Sequence, residues 1–376
     1  MGTPFCFGAP VDRKDFTGHS REVECLVSAM SEGRNVMLVS ARKYGRTSII
    51  NRATDLVGRA NPSLRFCYMN FREVRDEASL CVLFAQELIK SFSAGWEQAA
   101  QYLKVYFPDV ESKLSVNGTT VKDISISVDI KDMKDPFDRF LAMASQMASD
   151  RDVRLVLCID DFHNVLNLQD PQSLLRKFRK HVYGKENITL VLSWSRDFMM
   201  QELFDSLPKS HRNFGTLIEV GRIDDADFHK LLQEHFAEGT KFLDLDVASY
   251  ITDLVDGHPY YVQQLAQQAW LRTCIVCTKE IVWEAYRSLV DQMSLMFQYI
   301  MEGLTPQQLS YLRAVVAGET VISSAGVLHR YGISSATSAT RSKAALLQKD
   351  ILMLSKGKVV VSDPLMLYWL KNIYFV

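Results

Sequence analysis

Residues 36–54, VMLVSARKYGRTSIINRAT, run from an apolar stretch (Val36 to Val39) through a short polar loop (SARKYGRT, 40–47) into a sequence of helical character. This is the outline of a phosphate-binding loop, in which backbone N–H groups and the N-terminus of the following helix surround the phosphates of a nucleotide. The template is G-x-x-x-x-G-K-[ST]. Gly45 and Thr47 match it, whereas Ser40 stands at the first glycine and Arg46 at the lysine. Thr47 is suited to ligating Mg²⁺. Arg46 carries a permanent charge for phosphate, but its planar fork is bulkier than an ammonium. Ser40, Lys43, Gly45, Arg46, Thr47 and Ser48 are therefore the expected nucleotide contacts of this segment, with binding better preserved than catalysis.

The rest of the composition narrows the class. A chain of 376 residues is too long for one ordinary core, so two or three domains are expected. Apolar content of 47% with 23% charged residues fits a globular protein, and a net charge of -1 gives no overall pull toward nucleic acid or anionic membrane. No signal-peptide pattern opens the chain and no stretch is long and apolar enough to span a bilayer, so the chain reads as cytoplasmic with no membrane partner. Seven cysteines, several in apolar runs, suit reduced thiols. Cys274 and Cys277 form a C-x-x-C without the second pair a zinc site needs.

Further apolar runs follow in alternation with helical patterns. Leu64 to Phe71, Val153 to Ile159, Ile188 to Ser193 and Leu217 to Val220 read as strands, and Ser79 to Phe92 as a helix. Strands separated by helices predict a parallel sheet with helices on both faces. Residues 110–130 alternate about Asn117-Gly118, the signature of a hairpin, read here as a surface insertion. Beyond residue 222 the strand signals stop. Helical patterns over 224–236, 246–255, 259–274 and 279–296 predict an all-helical unit. Residues 304–317, 323–331 and 334–348, followed by an alternating stretch about Lys356-Gly357, predict three helices and a hairpin, the elements of a winged helix. Over 304–376 eight cations (Arg313, Arg330, Arg341, Lys343, Lys349, Lys356, Lys358, Lys371) face three acids (Glu319, Asp350, Asp363).

The third strand ends in Asp160-Asp161. Open α/β sheets bind ligands beyond the carboxyl ends of their strands. Asp160 is the expected Mg²⁺ partner through water, with Thr47. Asp161 is the expected residue for polarising an attacking water. Two acids capping the next helix remain the plainer alternative, and His163 beside them reads as an ordinary surface or hydrogen-bonded residue.

The loop SARKYGRTSII, the strand CIDDFHNV, the segment VLSWSRDFMMQELF (191–204) and DGHPYYVQQLAQQAW (256–270), in that order, resemble the archaeal-type P-loop ATPases of the signalling STAND class, an AAA+-like group. FGAPV and DFTGHSREVE also resemble that family's N-terminal lead-in, and the likeness extends over nearly the whole chain. It implies a five-stranded parallel ATPase core at 1–222 with the hairpin insertion at about 110–131, a helical lid at 223–300 and a winged helix at 301–376. The resemblance also implies roles. Ser193 and Ser195 match a polar sensor near the γ-phosphate and Arg196 a basic residue beside it. His258 and Pro259 match a lid motif over the nucleotide, and the segment Phe16 to His19 lies beside the adenine. The family usually carries Gly-Pro-Arg-Arg-x-Gly-Lys-Thr, Asp-Glu after the third strand and Gly-Arg in the lead-in. This chain has Ser40, Arg46, Asp161 and His19 there, and an aspartate at 161 is one methylene short of glutamate.

Three functions stay open at this point. One is a switch that binds ATP or ADP with Mg²⁺ between core and lid and turns over slowly. Another is a nucleotide-binding or empty module without turnover. The third is a DNA-binding regulator acting through Arg341 and Lys343, against which Ala336, Ala339, Ala344 and Ala345 leave few base-reading side chains. The partners expected are a nucleotide, a protein or DNA through the winged helix, and further copies of the chain in an oligomer.

Overall fold

The computed structural model describes residues 3–11, 13–106, 112–116, 124–128, 130, 133–195, 200, 203–206, 214–355 and 357–376. The chain divides into two compact units. One comprises Met1–His19, Ala41–Gly45 and Gly221–Val376, the other Ser20–Ser40 and Arg46–Val220.

The second of these is an α/β unit. Its elements are α1 (Ser20–Glu32), β1 (Val36–Val39), α2 (Arg46–Ala60), β2 (Leu64–Asn70), α3 (Glu77–Phe92), α4 (Trp96–Tyr106), β3 (Ser112–Val116), β4 (Ile124–Val128), α5 (Pro136–Ser149), β5 (Arg154–Asp160), α6 (Pro171–His181), β6 (Ile188–Trp194) and β7 (Thr216–Glu219). Five strands form one parallel sheet in the order β2-β5-β6-β1-β7. This is the P-loop NTPase arrangement expected from the sequence. β5 and β6 lie inside the sheet and are buried almost throughout, which is why they read as unbroken apolar runs. The edge strand β2 alternates over most of its length, and β7 buries Ile218 alone of its four residues. Phe84, Phe137, Phe162 and Phe178 fill the core beside the sheet in a chain of edge-to-face contacts.

Strand register brings the functional end of the sheet together. Ser193 on β6 lies beside Leu38 on β1, and Asp160 on β5 beside Asn70 on β2. The chain leaves β1 in one direction for β2 and returns on its other side as β7, so the carboxyl end of β1 sits where the strand order reverses. β3 and β4 pair antiparallel as the alternation predicts, while Asn117 and Gly118 lie outside the described residues. The hairpin is not purely a surface insertion. Ile126 is fully buried in the core and its N–H donates to Gln86 of α3 at 3.3 Å.

The other unit is largely helical. It contains α7 (Asp225–Glu238), β8 (Phe242–Leu243), α8 (Leu245–Leu254), α9 (Pro259–Arg272), β9 (Val276–Cys277) and α10 (Lys279–Glu302). The β8–β9 pair, two residues each and parallel, corrects the expectation of an all-helical stretch. The winged helix follows as α11 (Pro306–Val316), α12 (Ala325–Tyr331), α13 (Ala336–Gln348), the hairpin β10 (Leu352–Ser355) and β11 (Lys358–Val361), and α14 (Pro364–Trp369). Local chemistry sets these boundaries: Thr305 and Gln308 form a reciprocal capping box with Pro306 in the first turn, and Asp363 caps α14 through the N–H groups of Leu365 and Met366. The N-terminal segment belongs to this unit, where Phe5 packs edge-on against His235 and Phe236.

In the α/β unit Gly215 stands directly against backbone. A Cβ on Gly215, just before β7, would lie 2.2 Å from the carbonyl oxygen of Asn35 and 2.3 Å from its carbon. Neither atom can swing aside as a side chain would. Gly215→Ala should therefore destabilise the protein by about 1–3 kcal/mol, read as a lower urea midpoint with unchanged slope. A midpoint equal to wild type would show that β7 is free to move away from β1.

Candidate phosphate-binding site

In the α/β unit, β1 ends at Val39, just before Ser40, and α2 begins at Arg46, which brings the two departures from the loop template into contact. Arg46 Nη1 donates to the Ser40 carbonyl at 3.1 Å and to Ser40 Oγ at 2.9 Å, and Nη2 reaches Asp161 Oδ1 at 3.5 Å. Arg46 is buried. Its guanidinium is thus turned back onto the start of its own loop. Asp161 holds a left-handed backbone conformation (φ 51), one that aspartate tolerates better than most residues.

Asp160 is the centre of the site. Thr47 Oγ1 donates to its Oδ2 at 2.5 Å and Tyr68 OH to the same oxygen at 2.9 Å. The Asp161 N–H donates to Oδ1 at 2.9 Å, and the Ser193 hydroxyl donates to Oδ1 as well. Burial pushes the Asp160 carboxyl up. The hydrogen bonds from Ser193 and Thr47, the Arg46 charge and the Asp161 N–H outweigh that and hold it below the ordinary carboxylate value. Burial first, and then the Asp160 charge, push the Tyr68 phenol well above its usual value, so it stays a neutral donor. Ser48 is buried in the first turn of α2, and Ser195 is buried just beyond β6, its Oγ without a partner among the described residues. Arg196 lies outside the described residues.

Within the α/β unit the structure gathers Ser40, Arg46, Thr47, Asp160, Asp161 and Ser193, all singled out from sequence. Tyr68 is the participant that sequence reasoning misses. It lies on an edge strand 92 positions from Asp160, and only the pairing of β2 with β5 makes them neighbours.

The middle of the loop, Ala41–Gly45, packs within the helical unit. Arg42 Nη2 pairs with Asp350 at 2.7 Å, the Lys43 ammonium lies 3.7 Å from the centre of the Tyr260 ring, and Tyr44 meets His258 edge-on at 4.9 Å. Lys43 has positive φ (62) and burial lowers its pKa. Gly45 also has positive φ (89) with open space where a Cβ would point. His258 is the N-cap of α9 with Pro259 at the first helical position, as the Gly-His-Pro string suggests. Tyr261, in the first turn, donates its hydroxyl to Asp363. Phe16 is half-buried in the N-terminal segment and contributes no described ring contact.

The family described as a probable winged helix domain matches residues 295–372. No curated protein has a sequence that matches the chain. Among solved structures, a Walker-type ATPase of Pyrococcus abyssi aligns over 98% of this chain and 100% of its own with a TM-score of 0.70 at 12% identity. The ORC2 protein of Aeropyrum pernix with ADPNP and ADP gives 0.56 at 13% identity over 96% of this chain and 97% of that one. The ORC1 protein of Aeropyrum pernix in complex with DNA gives 0.51 at 13% identity over 96% and 94%. These likenesses establish the fold: a Walker-type α/β ATPase fold, a helical region and a C-terminal winged helix.

His258 supplies a pH test. Burial, then the nearby Lys43 charge, lowers its pKa to about 4. The folded protein therefore keeps it neutral where the unfolded chain takes up a proton, below about pH 6.5. Stability must rise with pH between these values and fall on acidification. Between pH 7 and pH 5 the loss attributable to His258 is on the order of 2 kcal/mol, and His258→Gln should remove that part of the pH dependence of the urea midpoint. Equal pH dependence in both proteins would show that His258 is solvated.

Proposed function

We propose that the protein is a STAND-type, Walker-fold molecular switch that binds ATP or ADP at loop 40–47 and hydrolyses it slowly or not at all. It would be built as a core over 1–222, a lid over 223–300 and a winged helix over 301–376. One observation carries the reading: the loop bends at Gly45 with unencumbered space beside it and leads into α2, whose first turn contains no acid. A helix N-terminus of this kind favours anions, and phosphate oxygens can be received by its N–H groups together with the Arg46 guanidinium. Lys43 and Ser48 would add contacts, with Ser195, Arg196, His258, Pro259 and Phe16 as further candidates.

The same residues argue against efficient turnover. Asp161 is one methylene shorter than glutamate and is directed to Arg46. A displacement of about an ångström from the reacting water can cost about 10²-fold in rate. Arg46 is also held by Ser40, away from an extended reach toward outer phosphates.

Nucleotide should appear in the supernatant when purified protein is denatured, and ADP should bind on calorimetric titration. Gly45→Val should weaken that binding at least about tenfold, because a β-branched residue is strained at positive φ. Steady-state hydrolysis should stay near background. Protein that releases no nucleotide and takes none up would overturn the reading.

The winged helix would carry the output. Its three acids are all engaged internally: Glu319 by Arg330, Asp350 by Arg42, and Asp363 by Tyr261 and the α14 cap. Arg341 and Lys358 are exposed, and they and Lys343 have no ion pair among the described residues. That surface suits a polyanion, and the alanine-rich α13 favours phosphate contact over base reading. Duplex DNA should bind without sequence preference and weaken steeply with salt, and Arg341→Ala should lower the salt slope by about 1. Binding that is weak and flat with salt would assign this face to a protein partner.

A further inference from the structure

Mg²⁺ is the companion that a Walker-type site leads one to expect, with Thr47 and Asp160 to hold it. An ionised carboxylate offers about four lone-pair sites. At Asp160 four protein donors fill them: Ser193 and the Asp161 N–H on Oδ1, Thr47 and Tyr68 on Oδ2. Mg²⁺ demands near-octahedral geometry and keeps several of its waters. A water on the metal must donate to this acid, and Asp160, only 2% exposed, presents no open acceptor to receive it. The decisive addition is the Tyr68 phenol, which reaches Asp160 from the neighbouring strand.

Charge points the same way. A divalent ion in such a site offsets phosphate charge, but here Arg46 already places a permanent, buried cation at the loop, bonded to Ser40 and within 3.5 Å of Asp161. A guanidinium and a divalent cation side by side repel strongly in a poorly solvated setting. The guanidinium fork also matches phosphate oxygens in a bidentate way.

We infer that this loop binds the nucleoside polyphosphate without a divalent cation: Arg46 supplies the compensating charge and Tyr68 occupies the acceptor that a metal-bound water would use. This rests on the nucleotide-binding reading above and specifies its chemistry. Arg46 contacts the ligand. Tyr68 acts through Asp160 as a positioning residue.

The test is calorimetric titration of the full chain with ADP, once with excess Mg²⁺ and once with EDTA. Wild type should bind with affinities that agree within about threefold in the two arms, and Arg46→Gln should weaken binding about 10- to 100-fold in EDTA, the loss of a charge-assisted hydrogen bond. Tyr68→Phe, which removes one hydroxyl and keeps the ring, should bind at least about threefold more tightly with Mg²⁺ than with EDTA. Wild-type binding that EDTA weakens tenfold or more overturns the inference and leaves the nucleotide-binding reading standing. Absence of ADP binding in both arms overturns both. The two wild-type arms decide the matter even if a variant fails to fold.

Discussion

The buried carboxylate of Asp160 ties four chain segments to one point. Thr47 comes from the first turn of α2, Tyr68 from β2, Ser193 from β6, and the fourth donor is the backbone that turns out of β5. An unpaired charge at this depth would cost several kcal/mol. The donors therefore hold the carboxylate as an anion and fix the order and stagger of β2, β5 and β6 at their carboxyl ends. The strand register and the site geometry are thus one constraint seen twice. Sliding β2 by one residue against β5 would turn Tyr68 to the other face of the sheet and leave Asp160 short of a donor.

This explains what the sequence discloses and what it hides. The central strands announce themselves because burial on both faces requires continuous apolar runs, as in Val156 to Ile159. Arg46 and Thr47 are legible because a short loop fixes their relations locally, and Asp160 because an acid closes an unbroken apolar run. The winged helix is legible because its boundaries carry their own chemistry, such as Thr305-Pro306-x-Gln308. Tyr68 leaves no local signal, since its role depends on a strand pairing made by distant residues. Helices α5 and α6 carry local cues of their own, with Pro136 and Pro171 in their first turns and, in α5, apolar residues at helical spacing such as Phe137, Phe140, Leu141 and Ala144. Two-residue strands such as β8 are too short to show a period, and the burial of Ile126 cannot be told from alternation, which identifies two faces without saying which is covered.

The replacement of lysine by arginine at position 46 changes more than charge geometry. A lysine ammonium is a mobile point charge on a flexible stem. The Arg46 fork, bonded twice to Ser40, is fixed before any ligand arrives. In the proposed site a fork fixed in this way would supply charge to phosphate without the freedom to follow a phosphate as it transfers. In the proposed function this would separate binding from turnover, and a short Asp161 would deepen the separation.

A switch also needs energy that differs between its states, and the loop offers a bounded amount. The half-exposed Arg42–Asp350 pair is worth at most about 1 kcal/mol, and the Lys43 ammonium over Tyr260 about 0.5–2 kcal/mol. If phosphate competes for these cations, the coupling reaches about 1–3 kcal/mol, and it acts equally in both directions, from ligand to winged helix and back. That is enough for a graded response. Driving a population from one state almost wholly into the other takes about 5.5 kcal/mol, so in the proposed switch the remainder would have to come from a partner of the winged helix. Under the proposed function, nucleotide and partner would act together, with neither alone sufficient to complete the change.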